Sequence, residues 1–353
     1  MAAESSNATL GTAIRTAEAP TAGWLRSPRF DLNFIVTLAA LAILTGWAVV
    51  GKPILWVPVL FLDLWLLGYH HVISTYTRLC FDRESFREHR FHLFVLPPIV
   101  LAAVLALAAG FGFWVLSTIY LYWQWFHYTR QSFGVAQVYR RNASGRVTDG
   151  ERFGRWTFYL LPLWGILHRS HQAPETFLGL EIRTFPIPEF AVDIVGAVAL
   201  VALALWVWRR VQEWSRGALP LAYTLYMLSH FAVFYVGYVA IDDINYGWLV
   251  INIWHNAQYI AFVWLFNAKR FGEGIDVKAR FLSFLSQPRN YLAYIAVCLL
   301  ISTFAYGSIN AVLAGLIPVA IIYQTINFHH YLVDGLIWKV RKKSLRETLG
   351  LAE

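Results

Sequence analysis

The sequence predicts an all-α fold: a polytopic transmembrane bundle of about ten helices with both termini cytoplasmic. Three observations carry this. Of 353 residues, 58% are hydrophobic and only 14% are charged, against about 25% charged in a soluble domain. Apolar runs long enough to cross a bilayer recur from Phe34 to Trp338, with short polar breaks between them. Lys and Arg gather in alternate loops, the bias by which a membrane protein sets its orientation.

The elements follow in order. Residues 1–28 are small and polar, with no apolar signal-peptide core, which predicts a flexible cytoplasmic tail. Apolar runs then place helices near 32–50, 54–76, 92–112, 114–138, 156–168, 189–208, 218–240, 247–268, 290–306 and 309–338, all in one integral membrane domain over 29–340. Pro97 and Pro98 should bend the third. The fifth is short for a span and the last is long.

The second helix ends in Arg78, Arg83, Arg87 and Arg90, and the fourth in Arg140, Arg141, Arg146, Arg152 and Arg155. Arg209, Arg210 and Arg216 follow the sixth; Lys269, Arg270, Lys278, Arg280 and Arg289 follow the eighth; residues 341–353 form a basic cytoplasmic tail. The opposite loops hold Lys52, Arg169, Arg183, Asp242 and Asp243. Membrane topology, rather than nucleic acid, accounts for the net charge of +8, and a bacterial inner membrane is the expected location. Cys80 and Cys298 are the only cysteines and lie far apart, so neither a disulfide framework nor a thiolate metal site is expected. Any metal must be held by nitrogen or oxygen.

Ionisable residues inside a span are expensive, so intramembrane histidines are site candidates. His70 and His71 lie on the second predicted helix, His127 on the fourth, His230 on the seventh, His255 on the eighth, and His329 with His330 on the tenth. Helical spacing surrounds them with polar stripes: Tyr120, Gln124, His127, Gln131 and Gly134 on one face, with Arg130 beside it. Asn252, His255, Asn256, Gln258 and Tyr259 form a second patch; Tyr323, Asn327, His330 and Asp334 form a third, with Gln324 and His329 alongside. Asp63, His70 and Arg78 share a face of the second helix, with His71 next to it. At 1.5 Å rise per residue these histidines fall within roughly 10–15 Å of one level. One shared chamber, reached from the cytoplasmic side, is expected.

Neutral imidazoles with carboxylate suit a first-row metal, and His-rich ligation with open positions suits oxygen-activating iron, one ion or two. The expected ligands are His70, His71, His127, His255, His329 and His330, with Asp334 as ligand or as acceptor fixing an imidazole tautomer. Arg130, Asp334 and Tyr259 are the candidate catalytic groups. Asp63, Arg78, Gln124, Gln131, Asn256, Gln258, Asn327 and His230 are expected to support the metal or contact substrate. His89 and His92 form a weak HxxH pair in the adjoining loop.

The pairs His70-His71 and His329-His330, the HxxH at 89–92, and the single His127 and His255 resemble the polyhistidine integral-membrane oxygenases. These are the fatty-acid desaturase and hydroxylase class and, more distantly, the Brp/Blh-type carotenoid cleavage enzymes. The chain lacks the HxxxH and HxxHH motifs of the desaturase class. The resemblance implies a metal-dependent oxidoreductase of lipid metabolism. It would use O2 to hydroxylate, desaturate or cleave a lipophilic or amphiphilic substrate among membrane lipids, with a separate electron donor. Axial haem ligation, a proton- or anion-coupled transporter and a scaffold whose polar stripes only join helices are the competing readings.

Overall fold

The computed structural model describes residues 23–143, 145–313, 315–339 and 343–349. Its long rods are α1 (Pro28–Gly51), α2 (Pro53–Cys80), α4 (Phe91–Phe111), α5 (Phe113–Asn142), α6 (Glu151–Gln172), α7 (Glu189–Ser215), α8 (221–240), α9 (Ile244–Arg270), α11 (Tyr291–Leu313) and α12 (Val319–Ile337). Short helices α3 (Arg83–Glu88), α10 (Arg280–Leu285) and α13 (Lys343–Leu349) complete the described helical set. One hairpin, β1 (Thr176–Phe177) with β2 (Leu180–Glu181), turns through left-handed Leu178 and Gly179.

Among the described residues, six helices are long and apolar enough to cross a membrane: α1, α2, α4, α7, α9 and the 26-residue stretch that includes α11. In α9 the apolar window is 83% buried, against 11–33% in the other five. α9 is therefore the axis of the bundle, and the others turn apolar faces outward. Ile54 at 86% exposed and Leu292 and Phe304 at 78% lie on that outer surface, an arrangement that suits lipid and would be costly in water.

The predicted tenth helix, 309–338, is two elements, because residues up to Leu313 still belong to α11 and Val319 opens α12 behind Pro318. The short fifth run extends to the full 22 residues of α6. Pro97 and Pro98 sit in the first turn of the regular part of α4, behind a wide turn over Phe91–Val95, where their missing N–H groups are tolerated.

Both ends of the chain are tied down where they are described. Asp31 accepts backbone N–H bonds from Leu25 (2.9 Å), Arg26 (3.0 Å) and Ser27 (3.1 Å), and a hydroxyl from Tyr139 (2.6 Å). The stretch just before α1 is thus held to α5; the rest of the predicted N-terminal tail, residues 1–22, lies outside the described residues. In α13, Leu345 and Leu349 are buried at i, i+4 spacing, and Lys269 donates to the Leu349 carbonyl (3.0 Å). That part of the predicted basic tail is a docked helix.

Arg169 was expected in a loop. It lies in α6 instead, fully buried, donating to the Gln172 side chain (2.7 Å) and to the Asp242 (2.5 Å), Gly237 (3.0 Å) and Ile241 carbonyls, so it caps the end of α8. There α8 meets the start of α9 so closely that a Cβ on Gly247 would come within 2.1 Å of the Gly237 carbonyl oxygen. On the loops predicted to be basic, Arg270 pairs with Asp82 (2.8 Å) and Arg210 with Asp149 (2.8 Å) and Glu213 (2.9 Å).

Candidate metal centre

Four helices converge near the middle of the bundle, each contributing one imidazole: His71 from α2, His127 from α5, His255 from α9 and His330 from α12. The ring centroids of His71 lie 4.6 Å from His330, 4.8 Å from His255 and 6.4 Å from His127. His127 lies 5.1 Å from His255 and 5.3 Å from His330. Ligand atoms of His71, His127, His330 and Asp334 all fall within 4.8 Å of one another, and all four residues are buried.

A wide turn sets which histidine of α2 takes part. Residues Leu64–Gly68 form a π-type turn, which carries extra residue per turn and rotates everything after it. Regular 3.6-residue spacing aligned Asp63 with His70. With the wide turn, Asp63 accepts from the Asn252 side chain of α9 (2.5 Å), and it is His71 that stacks on α9, against Tyr259 at 4.1 Å. His70 is buried but outside the group, its Nε2 without a protein partner.

The protons around His330 can be assigned from their partners. Thr75 Oγ1 lies 3.1 Å from Asp334 Oδ1, 3.2 Å from His330 Nδ1 and 2.7 Å from Tyr259 Oη. Tyr259 donates to Asp334 Oδ1 (2.8 Å) and accepts from Trp338 Nε1 (2.9 Å). With the Tyr259 proton on Asp334, the single Thr75 proton is shared between Tyr259 Oη and Asp334 Oδ1, which leaves the Thr75 oxygen to accept from the Nδ1–H of His330. That arrangement favours the tautomer in which His330 Nε2 is a bare lone pair.

That nitrogen sits 2.7 Å from His71 Nε2. Two lone pairs at this distance repel unless a proton or cation lies with them. Asp334 Oδ2 lies 3.5 Å from His330 Nε2, and His127 Nε2, His255 Nε2, His71 Nδ1 and Asp334 Oδ2 are buried without a hydrogen-bond partner. Each such orphan costs about 1–3 kcal/mol. The donor set, imidazole nitrogens with one carboxylate oxygen and no thiolate, fits a divalent first-row metal.

The other predicted residues divide by location. His329 has both ring nitrogens engaged, Nδ1 with Tyr76 (2.9 Å) and Nε2 with the His92 carbonyl (2.7 Å), and faces away from the group. His230 is likewise satisfied, by Ser132 (3.1 Å) and the Phe158 carbonyl (3.2 Å), and stacks on Phe158 at 3.7 Å. Arg78 lies between the rings of Phe266 (4.3 Å) and Trp338 (4.1 Å) and makes no ion pair with Asp63 or Asp334. Thr75 and Trp338, which position Asp334 and Tyr259, were not anticipated. The signal for Thr75 was its i+4 spacing from His71, the same spacing that separates His330 from Asp334.

Two cavities flank the histidines. The smaller, about 70 Å³, is lined by His71, His255, His330, Asn256 and Asn327. On its wall Gln124 donates to Tyr120 and Tyr128 (both 2.6 Å) and accepts from Trp248 (2.8 Å). Phe177 of the hairpin, itself buried, packs against Tyr120 and Trp248 and covers this end of the bundle. The larger cavity, about 560 Å³, is reached by His127, Tyr259 and Asp334 at its buried end; Gln131, Gln258 and the exposed Arg130 also line it.

Comparison of the chain with protein-family models, with curated proteins and with solved structures finds no match. The chemistry of the site therefore stands on its own residues.

Proposed function

We propose that this protein is a membrane-embedded, metal-dependent oxidoreductase in which His71, His127, His330 and Asp334 hold the metal and His255 completes the set. One observation carries this reading: buried ligand atoms of His71, His127, His330 and Asp334 lie within 4.8 Å of one another beside the end of a large cavity, His127 Nε2 and Asp334 Oδ2 among them without a hydrogen-bond partner. Iron is the proposed metal. Such a donor set leaves positions open, and bound iron supplies O2-dependent chemistry. The reaction class is hydroxylation, desaturation or cleavage of a lipophilic substrate, with electrons from a separate donor. Contact between the His71 and His330 nitrogens favours a bare ion over haem, whose macrocycle would need a slot between those rings.

The residues have distinct tasks. Thr75 holds His330 in the tautomer that presents Nε2. Asp334 offers Oδ2 to the centre while its Oδ1 is held by Thr75 and Tyr259. Tyr259, stacked on His71 and lining the large cavity, holds a proton at Oη beside the substrate space. Burial of the whole group excludes bulk water from the reacting end of the cavity.

We also propose that all ten long helices cross the membrane and that both termini face the cytoplasm of a bacterial inner membrane. Single cysteines at positions 146 and 183 should then label from opposite sides; labelling from one side contradicts that topology. For the activity, protein purified in detergent and reduced is incubated with an extract of membrane lipids under 18O2. Iron near stoichiometry and a lipid product that has gained label or lost two hydrogens is the expected result. Protein that carries no redox-active metal overturns the proposal.

A further inference from the structure

The large cavity has two unlike ends joined along one helix. His127, Gln131, Gly134, Val138 and Arg141 line it on successive turns of α5, so it follows that helix for about 21 Å at 1.5 Å per residue. Its inner end is formed by buried His127, Tyr259 and Asp334, and its walls by Trp123, Phe126, Phe133, Phe262 and Trp338. Its rim carries exposed Arg141 and Arg155 with half-buried Lys339, while exposed Arg130 lines it one turn from His127. Glu151 is the only acid among the described residues of that rim, and Arg155 takes it at 2.9 Å. Among the described residues no ion pair engages Arg130, Arg141 or Lys339.

Orientation in the membrane accounts for cations on one side of the bilayer. It does not account for three cations without acidic partners among the described residues, opening onto an aromatic-walled cavity that ends on the histidine group. An anion at the rim gains charge-assisted hydrogen bonds from Arg141 and Lys339, and the aromatic walls take an apolar chain. A neutral hydrocarbon would fill the walls and leave the rim unmatched.

We infer that the cavity binds a single-chain amphiphile with an anionic head, a carboxylate or phosphate held by Arg141 and Lys339, its chain running along α5 toward His127. The fate of that chain rests on the metal-centre reading; the binding does not.

The test uses full-length protein in nonionic detergent, titrated with oleate, lysophosphatidate and oleyl alcohol while tryptophan fluorescence is followed. Oleate or lysophosphatidate should bind at least about tenfold tighter than the alcohol, as expected for a charged hydrogen bond gained. The preference should weaken with salt and disappear in the R141Q/K339Q double variant, and the tighter of the two anions identifies the head. His127→Ala should retain the anion preference even where it loses metal, so the two readings fail separately. Equal binding of alcohol and anions, or a preference unchanged in the double variant, overturns the inference.

Discussion

Thr75 has one hydroxyl proton and three close partners: Asp334, His330 and Tyr259. Its oxygen is the acceptor that keeps the proton of His330 on Nδ1, so its loss acts on the metal through His330. Thr75→Val should lower metal affinity about 10–100-fold, the usual cost of removing such a supporting contact, while Thr75→Ser keeps it. Competition with a graded chelator reads this directly; equal affinity in both variants and wild type contradicts the tautomer assignment. Aspartates outside the membrane follow different rules. Burial pushes the Asp82 carboxyl up, but the Arg270 guanidinium and the backbone N–H groups of Glu84 and Ser85 outweigh it and hold the carboxyl below the usual range. A depressed carboxyl stabilises the fold above its unfolded value, about 3.9, and that stabilisation is lost as pH falls through the lower folded value. Asp82→Asn should therefore lower the melting temperature at pH 7, and the gap to wild type should close on acidification. A gap that stays constant with pH contradicts the role given to this pair.

At the scale of elements, the helices and their polar faces were legible in the sequence because a membrane helix writes its length in apolar residues and its buried stripe at 3.6-residue spacing. The stripes of α5, α9 and α12 carried His127, His255, His330 and Asp334; the structure gathers His127, His330 and Asp334 with His71 in one buried group, and the His255 ring lies 5.1 Å from that of His127. What the sequence did not expose was the wide turn at Leu64–Gly68. Nothing in LWLLG distinguishes a π-type turn from an ordinary one, and it decides between His70 and His71. The same limit applies to His329 and His330: adjacent residues point about 100° apart on a helix, and only packing against Tyr76 and the His92 carbonyl shows which of them turns away. The split of 309–338 into two helices was hidden by continuous apolar character across the turn. Close contact between helices is testable at Gly247, where a methyl group has no room beside the Gly237 carbonyl. Gly247→Ala should cost about 1–3 kcal/mol and lower the melting temperature, with metal per folded chain unchanged. A variant as stable as wild type contradicts the contact between α8 and α9.

For the whole molecule, an outer surface of large apolar side chains surrounds a core that is itself mostly apolar but encloses a group of buried polar side chains. That polar group is organised around the place where α2, α5, α9 and α12 each deliver an imidazole and the large cavity ends. The account's central claim is that His71, His127, His330 and Asp334 hold a metal ion there. Metal content per chain, measured on protein purified from one expression host, tests it most directly. His71→Ala, His127→Ala, His330→Ala and Asp334→Ala are compared with controls outside the group, His70→Ala, His230→Ala and His329→Ala. Wild type and the three controls should carry stoichiometric metal, and the four variants at the centre should lose most of it while remaining folded. Wild-type protein free of metal, or metal that persists in the four variants and leaves with the controls, would contradict the account.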